Sequence, residues 1–498
     1  MIILYNPQSS ANRKPVLPMS LLALGAVLKG HFDYVIVDGN LVPDPLAALD
    51  THIRAAGPRP VLAVTVMPGP QLNQAVPLCR QLKQRHPHLT VIWGGYFPTQ
   101  HWDVCLRDDA VDYVIRGHGE YAFLHLLKAL LPGPGQSPIP NPQSPISGLA
   151  YRDENGSPVT NPLAPIPHPR ELPPWDFEHL DVPRYLRQTF LGRRTLGYHS
   201  SYGCPFFCNF CAVVNMVNGR WLAQTAAQVA EAARTYQSRW DVDAIEFYDN
   251  NFFTHEARTA EFSERIGDLD LAWWGEGRID TLERYDDRTW RLMRDSGLHM
   301  IFMGAESGSA ETLQRMNKGG QLNPERTLAM AERMRTWGIV PEFSFVLGNP
   351  PDPEADAWQT MTFIRRVKEV NPDAEIIMYL YTPVPLAGDL YDNAQASGFA
   401  FPETLDEWIS PAWADFSQRR SQTLPWIQQT LREQMRDFER VLNAYYPTST
   451  NHRLTGIRRK LLRAVSAWRY HSGFYRFPLE LRALHRLLAY QRPETSGF

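Results

Sequence analysis

Cysteine is scarce in this 498-residue chain, with five in all. Only Cys79 and Cys105 lie outside one short stretch, and an odd count with so few residues left to pair excludes a secreted disulfide framework. A reducing, cytoplasmic setting is the expectation. No run approaches the roughly 18 apolar residues that a spanning helix needs. The start, "MIILYNPQ", lacks a basic leader ahead of a long apolar stretch, so neither a membrane span nor a cleaved signal is expected. Charge of one sign is lacking too: a formal net charge of -3 exerts no overall pull on nucleic acid, and none is expected as a partner.

What is present is enough apolar residue, 44% of the chain, for a large core divided among several domains. Residues 1–132 alternate nearly continuous apolar runs ("MIILYN", "YVIVDG", "VLAVTVM", "LTVIWGG", "VDYVIRG") with amphipathic segments. That pattern predicts a doubly wound, Rossmann-like α/β domain. Residues 133–192 read as a proline-rich linker, a hairpin in "LAYRDENGSPVTN" turning at Asn155-Gly156, and a tether. Over 193–395 the alternation resumes with strands at "TLGYHSS", "AIEFYDN", "LAWWGEGR", "MIFMGAES", "VPEFSFVLG" and "EIIMYLYTP". Six parallel strands separated by helices predict a partial barrel with its chemistry on the loops after the strands. Residues 396–498 read as a helical, basic region.

The remaining three cysteines crowd into "HSSYGCPFFCNFCAV" as Cys204, Cys208 and Cys211, after the first barrel strand. Three thiolates on one loop suit an iron-sulfur cluster, or a structural zinc site with His199 as fourth ligand. The spacing alone leaves both open, the second as a non-catalytic, zinc-stabilised scaffold.

"CPFFCNFC" resembles the C-x3-C-x2-C signature of the radical S-adenosylmethionine (radical SAM) superfamily, with Phe210 as the aromatic that often precedes the last cysteine. The resemblance implies a [4Fe-4S] cluster on the three cysteines, with one iron left open to S-adenosylmethionine (SAM), which is cleaved to a 5'-deoxyadenosyl radical. "EFYDNNFF", "WWGEGRID", "MGAESGSAETLQRMNKG", "FSFVLGNPPD" and "YLYTPVPLAGDLYD" resemble the family's later strand-end segments. They imply SAM contacts at Asp249, Arg278 (the carboxylate), Glu306 and Ser307 (ribose or amino group) and Gly348, beside Phe210. Tyr248, Asp249 and Glu276 are placed near the cavity by strand-end logic alone, so no catalytic base is named.

A doubly wound domain before such a barrel resembles the cobalamin-binding radical SAM class. "VIWGGYFPTQH", "VDYVIRGHGEYAF" and "VTVMPGPQ" carry that resemblance and imply cobalamin contacts at Gly69, Gly94, Gly95, Gly117 and Gly119. The Asp-x-His-x-x-Gly motif is missing. "DTHIRAAG" at Asp50 is one residue too long and reads as helix, and His118 is expected to be a polar core residue. The class implies methylation or remodelling of an unactivated carbon of a small molecule, with a tetrapyrrole or a lipid as candidate substrate classes and flavodoxin or ferredoxin as electron donor. An oxidative cyclase resembling the anaerobic magnesium-protoporphyrin monomethyl ester type is the alternative. The last 48 residues carry ten Arg or Lys against two Glu, among aromatics, and a peripheral membrane contact is an expectation for them.

Overall fold

The structure, a computed structural model, describes residues 1–9, 15–132, 146–318, 322–386, 388–417, 424–448, 450, 454 and 456–488. Most of the proline-rich stretch lies outside the described residues.

Five apolar runs form parallel strands β1 (Ile2–Asn6), β2 (Tyr34–Asp38), β3 (Val61–Thr65), β4 (Thr90–Gly94) and β5 (Tyr113–Ile115), in the order β2-β1-β3-β4-β5. Every residue of β1 is buried, as expected of a strand covered on both faces. The sheet runs further than predicted. The hairpin of β6 (Leu149–Arg152) and β7 (Pro158–Thr160) adds to it antiparallel along β5, so the segment assigned to the linker extends the first sheet. Gly156, with φ +79°, makes its turn.

The second sheet contains all six predicted strands: β8 (Thr195–Tyr198), β11 (Ala244–Phe247), β12 (Ala272–Gly277), β13 (Leu298–Glu306), β14 (Val340–Leu347) and β15 (Glu375–Leu380). All pair in parallel in the order β8-β11-β12-β13-β14-β15. This is a partial barrel, open between β8 and β15. Two short strands interrupt it, β9 (Ser201–Gly203) and β10 (Trp221–Ala223), paired antiparallel. The run "TLGYHSS", expected as one strand, therefore breaks after Tyr198.

Helices Gln429–Tyr445, Gly456–Ser472 and Leu479–Leu488 close the chain. Tyr470 is buried and stacks on Tyr445, with ring centroids 4.4 Å apart. Buried Arg469 is ion-paired to Glu480. The expected membrane contact is corrected on this point. Part of the tail's aromatic and cationic content is spent on packing and pairing within the fold, and no helix among the described residues is long and apolar enough to cross a membrane.

Candidate active site

The three cysteines lie on a loop tied down before any metal is considered. Gly203 ends β9 at φ +86°, where a side chain would collide with the Arg220 carbonyl. Cys204, Cys208 and Cys211 follow, and then the short helix Val213–Val217. Asparagines strap the loop from outside. Asn209 donates to the Arg315 carbonyl (2.6 Å) and Asn317 to the Phe207 carbonyl (2.8 Å), while Asn251 Nδ2 lies 3.9 Å from Cys204 Sγ. Asn215 donates to Gln100 of the first domain (2.8 Å) and to the Pro385 carbonyl after β15 (3.1 Å). Burial pushes the Cys204 thiol up and the Cys211 thiol to about 12. Metal loading must therefore release protons.

Two buried cations flank the thiols. Arg278 Nη1 donates to Cys208 Sγ at 3.3 Å, and its guanidinium stacks 3.7 Å from the Phe206 ring centroid. Asp280 holds it from behind at 2.7 and 2.9 Å. Burial opposes this charge, but Asp280 and Cys208 more than restore it. Lys318, 5.6 Å from the Phe210 ring, pairs with Glu306 at 2.5 Å, and both are buried. Glu306 sits at φ +64°, a left-handed conformation uncommon for a non-glycine residue and typical of sites where neighbours dictate the backbone. Arg278, Glu306 and Phe210 thus gather around the loop. Lys318 joins them; it lies within the segment "MGAESGSAETLQRMNKG" but is not singled out there.

The other expected SAM residues are occupied by structural partners. Asp249 is fully buried and accepts from the Ser200 amide (3.1 Å), the Ser200 hydroxyl (2.8 Å) and the Ser201 hydroxyl. These bonds break the strand after Tyr198 and swing the chain into β9. The Ser307 hydroxyl lies within a buried network with Thr360 (3.2 Å) and Ser309 N (3.0 Å). Gly348, at φ +76°, leaves no room for a side chain beside Ile427, and its carbonyl accepts from Trp426. Tyr248 donates to Glu246 at 2.5 Å, and Arg187 bonds both. Burial pushes Glu276 up to about 8, with the charge of Asp249 adding to the effect, so its carboxyl is largely protonated at neutral pH.

A cavity of about 210 Å³ opens at the C-terminal ends of β3, β4 and β5, the side on which open α/β sheets take ligands. Gly94, Gly95, Gly117 and Gly119 line it; Gly69 caps the helix Pro70–Arg85 and does not. A Cβ on Gly95 would stand 3.0 Å from Thr65 Oγ1, and one on Gly119 would stand 3.1 Å from Ile115. The far wall comes from the second domain and the tether: Trp175, His199, Tyr202 and Met216. His118 lines the cavity from the first domain and does not sit in a closed core, its ring 4.4 Å from that of Tyr202. Asp50 and His52 lie in the helix Pro45–Ala55, as expected. His199 faces the cavity beside Tyr202, which leaves the zinc reading without its fourth ligand. Among the described residues no three His, Cys, Asp or Glu are grouped to hold a metal ion. A cubane, with a separate iron for each sulfur, does not need the thiols gathered around one point.

The architecture is thus two α/β domains in succession, with a cavity of the first domain walled in part by the chain on either side of the cysteine loop of the second. Two family models match in succession, the B12 binding domain over residues 13–127 and the Radical SAM superfamily over residues 198–364. The chain belongs to the proteins that fuse these domains, and it is a cobalamin-dependent radical SAM enzyme acting on SAM. An uncharacterized methyltransferase of Pyrococcus horikoshii is 24% identical over 375 residues, 74% of this chain and 78% of the relative. The anaerobic magnesium-protoporphyrin IX monomethyl ester cyclase of Synechocystis sp. is 25% identical over 338 residues, 65% of this chain and just under two thirds (64%) of the relative. In fold the chain is similar to the radical SAM methyltransferase TsrM of Kitasatospora setae (TM-score 0.65, 14% identity, 98% of both chains). It is also similar to the cobalamin-dependent SAM radical enzyme OxsB (TM-score 0.69, 14% identity, 98% of this chain and 71% of that one). None of these findings supports the expected flavodoxin or ferredoxin donor, or the tetrapyrrole or lipid class of substrate, and both expectations are withdrawn.

Proposed function

We propose that the chain transfers a methyl group to an unactivated carbon of a small molecule, with a [4Fe-4S] cluster held by Cys204, Cys208 and Cys211. The supporting observation is the placement of the cavity. Its far wall is built from residues on either side of the cysteine loop, His199 and Tyr202 before it and Met216 after it, so the two cofactor sites share a boundary. When bound, the cluster and cobalamin supply the radical and methyl-carrying chemistry that side chains lack.

In this reading the chain's own residues bind and shield. Arg278 lends positive charge to the Cys208 sulfur. The Lys318–Glu306 pair offers a cation and a carboxylate to the two ends of the SAM amino acid group. Phe210 covers the loop, while Asp249, Ser307 and Gly348 hold the strand ends behind the cofactor. Glu276 keeps a proton on its carboxyl beside the barrel interior.

The test is anaerobic reconstitution with iron and sulfide, then product analysis with SAM, reductant and cobalamin. Formation of 5'-deoxyadenosine together with S-adenosylhomocysteine is expected, and C208A should lose iron and both products while unfolding like the parent. 5'-Deoxyadenosine without S-adenosylhomocysteine under all cobalamin conditions would overturn methyl transfer and favour the cyclase alternative. A protein that takes up one zinc and no iron would overturn both.

A further inference from the structure

The barrel strands alternate between two faces. Ile245, Phe247, Trp273 and Ile301 turn outward and are buried beneath the helices, with the Trp273 ring 5.4 Å from that of Phe262 in the helix Glu256–Ile266. The opposite face, turned to the barrel interior, is acidic: it carries Glu246 on β11, Glu276 on β12, Glu342 on β14 and Glu375 on β15. The fold answers all but one of them. Arg187 pairs with Glu246, Thr450 donates to Glu375 through its amide (2.9 Å) and its hydroxyl (3.0 Å), and Trp274 Nε1 donates to Glu342 Oε2 at 3.1 Å. Glu276 meets no hydrogen-bond donor and no cation among the described residues. Toward the mouth, Arg278 and Lys318 are already held by Asp280 and Glu306.

Aromatic rings surround this unanswered carboxyl. Phe302 is the register partner of Glu276 on β13, and Tyr248 follows Phe247, the partner of Gly275 on β11, so the two rings flank Glu276 across the sheet. Trp274 stands one inward position earlier on the same strand, and its ring crosses those of Tyr248 (5.9 Å, 62°) and Phe302 (6.3 Å, 56°). Gly197 on β8 leaves the Tyr248 ring its room, since a Cβ there would lie 2.7 Å from it. Glu276 and the three rings are only half-buried although they point into the barrel, so open space remains between them. The charges that reach this space are acidic. Burial raises the Glu276 carboxyl to about 8 and Asp249 adds to the effect, Glu342 lies close enough to feel Glu276, and Arg187 is taken up by Glu246 and Tyr248. A carboxyl walled by aromatic rings is an arrangement that recognises an organic ammonium: the ring faces attract the cation and the carboxylate supplies its countercharge. The same acids repel an anion.

We propose that the barrel interior takes its substrate by an ammonium group, held between the Glu276 carboxylate and the rings of Tyr248, Trp274 and Phe302, so that the acceptor of the methyl group is an amine-bearing small molecule. This rests on the methyl-transfer reading above and adds the class of acceptor to it. Arg278, two residues on from Glu276 and just past the end of β12, meets Cys208 at 3.3 Å, so a guest anchored at Glu276 extends toward the cysteine loop. A cation beside Glu276 favours its ionised form. The proton that burial keeps on the carboxyl therefore leaves as the guest arrives.

The experiment uses the reconstituted full chain with SAM and two probes of one shape, choline and its neutral isostere 3,3-dimethylbutan-1-ol. Calorimetry at about pH 7, below the raised carboxyl, in buffers of different ionisation enthalpy reads affinity and proton release together. Choline should bind about tenfold more tightly than the alcohol and should release a proton, which comes from the protein because choline has none to give at that pH. E276Q should weaken choline about tenfold, remove most of the proton release and leave the alcohol within about threefold of the parent. Equal affinity for the two probes, or tighter binding of the alcohol, overturns the proposal. So does an E276Q chain that binds choline and releases a proton as the parent does, which would move the seat to Glu342. Equal weakening of both probes in E276Q would show a merely structural role and overturns it too, as does a parent that binds neither. Product analysis of the same preparation keeps the two readings apart: 5'-deoxyadenosine formed together with S-adenosylhomocysteine leaves methyl transfer standing whatever the probes do, and their absence removes it whatever the probes bind.

Discussion

Gly304 has no side chain because Glu306 and Lys318 occupy the space where one would go. A Cβ there would fall well inside contact distance of Glu306 Oε1 and 2.5 Å from Lys318 Nζ. Both obstructing atoms end flexible side chains, so G304A should still fold, with a stability loss of about 3 kcal/mol as the buried pair is displaced. SAM affinity, measured by calorimetry on the reconstituted enzyme, is expected to fall about tenfold, since each of the two charges then loses its placed partner.

Arg278 joins the cysteine loop to the third barrel strand by a bond to sulfur, a ring stack and a paired carboxylate. R278M keeps the bulk but leaves Asp280 buried and unpaired, a loss of about 3 kcal/mol that denaturant unfolding of the iron-free protein should register. Iron retained after reconstitution should drop at least by half. R278M combined with D280L should recover most of the stability but not the iron, because the cation facing Cys208 is still missing.

Glu276 gives the pH dependence a definite sign. Its folded pKa is raised from 4.5 to about 8, so the folded state holds the proton more firmly than the unfolded chain does. The resulting stabilisation is complete below about 4.5 and is lost as pH rises through about 8. E276Q, which cannot ionise, should gain on the parent steadily between pH 5 and 8.5 in thermal unfolding. Glu342 is also pushed up to about 8, chiefly by burial, and the charge of Glu276 adds to its shift, so the difference reports Glu276 together with its coupling to Glu342. A constant gap across that range would show that Glu276 ionises normally.

Asn215 holds three segments at once: its own helix, Gln100 and the Pro385 carbonyl. N215A removes two hydrogen bonds at about 1 kcal/mol each. The measurable consequence is local: hydrogen exchange should speed up over 213–217 and 96–100 together, while strands β11 to β14 stay protected.

Strand-helix alternation with near-continuous apolar runs was enough to read both sheets, because burial on two faces leaves its mark in consecutive residues. The hairpin's attachment to β5 was not legible, since edge pairing is decided by what lies beside a strand and not by its composition. The three cysteines could be read from spacing because one short loop carries them all. The straps at Asn209 and Asn317 could not, because each works through a partner distant in sequence, and Lys318, within a quoted segment, could not be told from a surface lysine until the fold buried it against Glu306. Asp249 shows the same limit: its motif placed it at a strand end, and only the Ser200 and Ser201 bonds reveal that it bends the chain there.

The pairing of Gly203 with Trp221 and of Ser201 with Ala223 cinches the cysteine segment at its neck. Closing a loop costs entropy that grows only slowly with its length, and here that cost is met by peptide bonds paired across the clasp. On the proposed reading the loop is therefore closed before a cluster arrives, so that loading it is an act of seating and not one of folding.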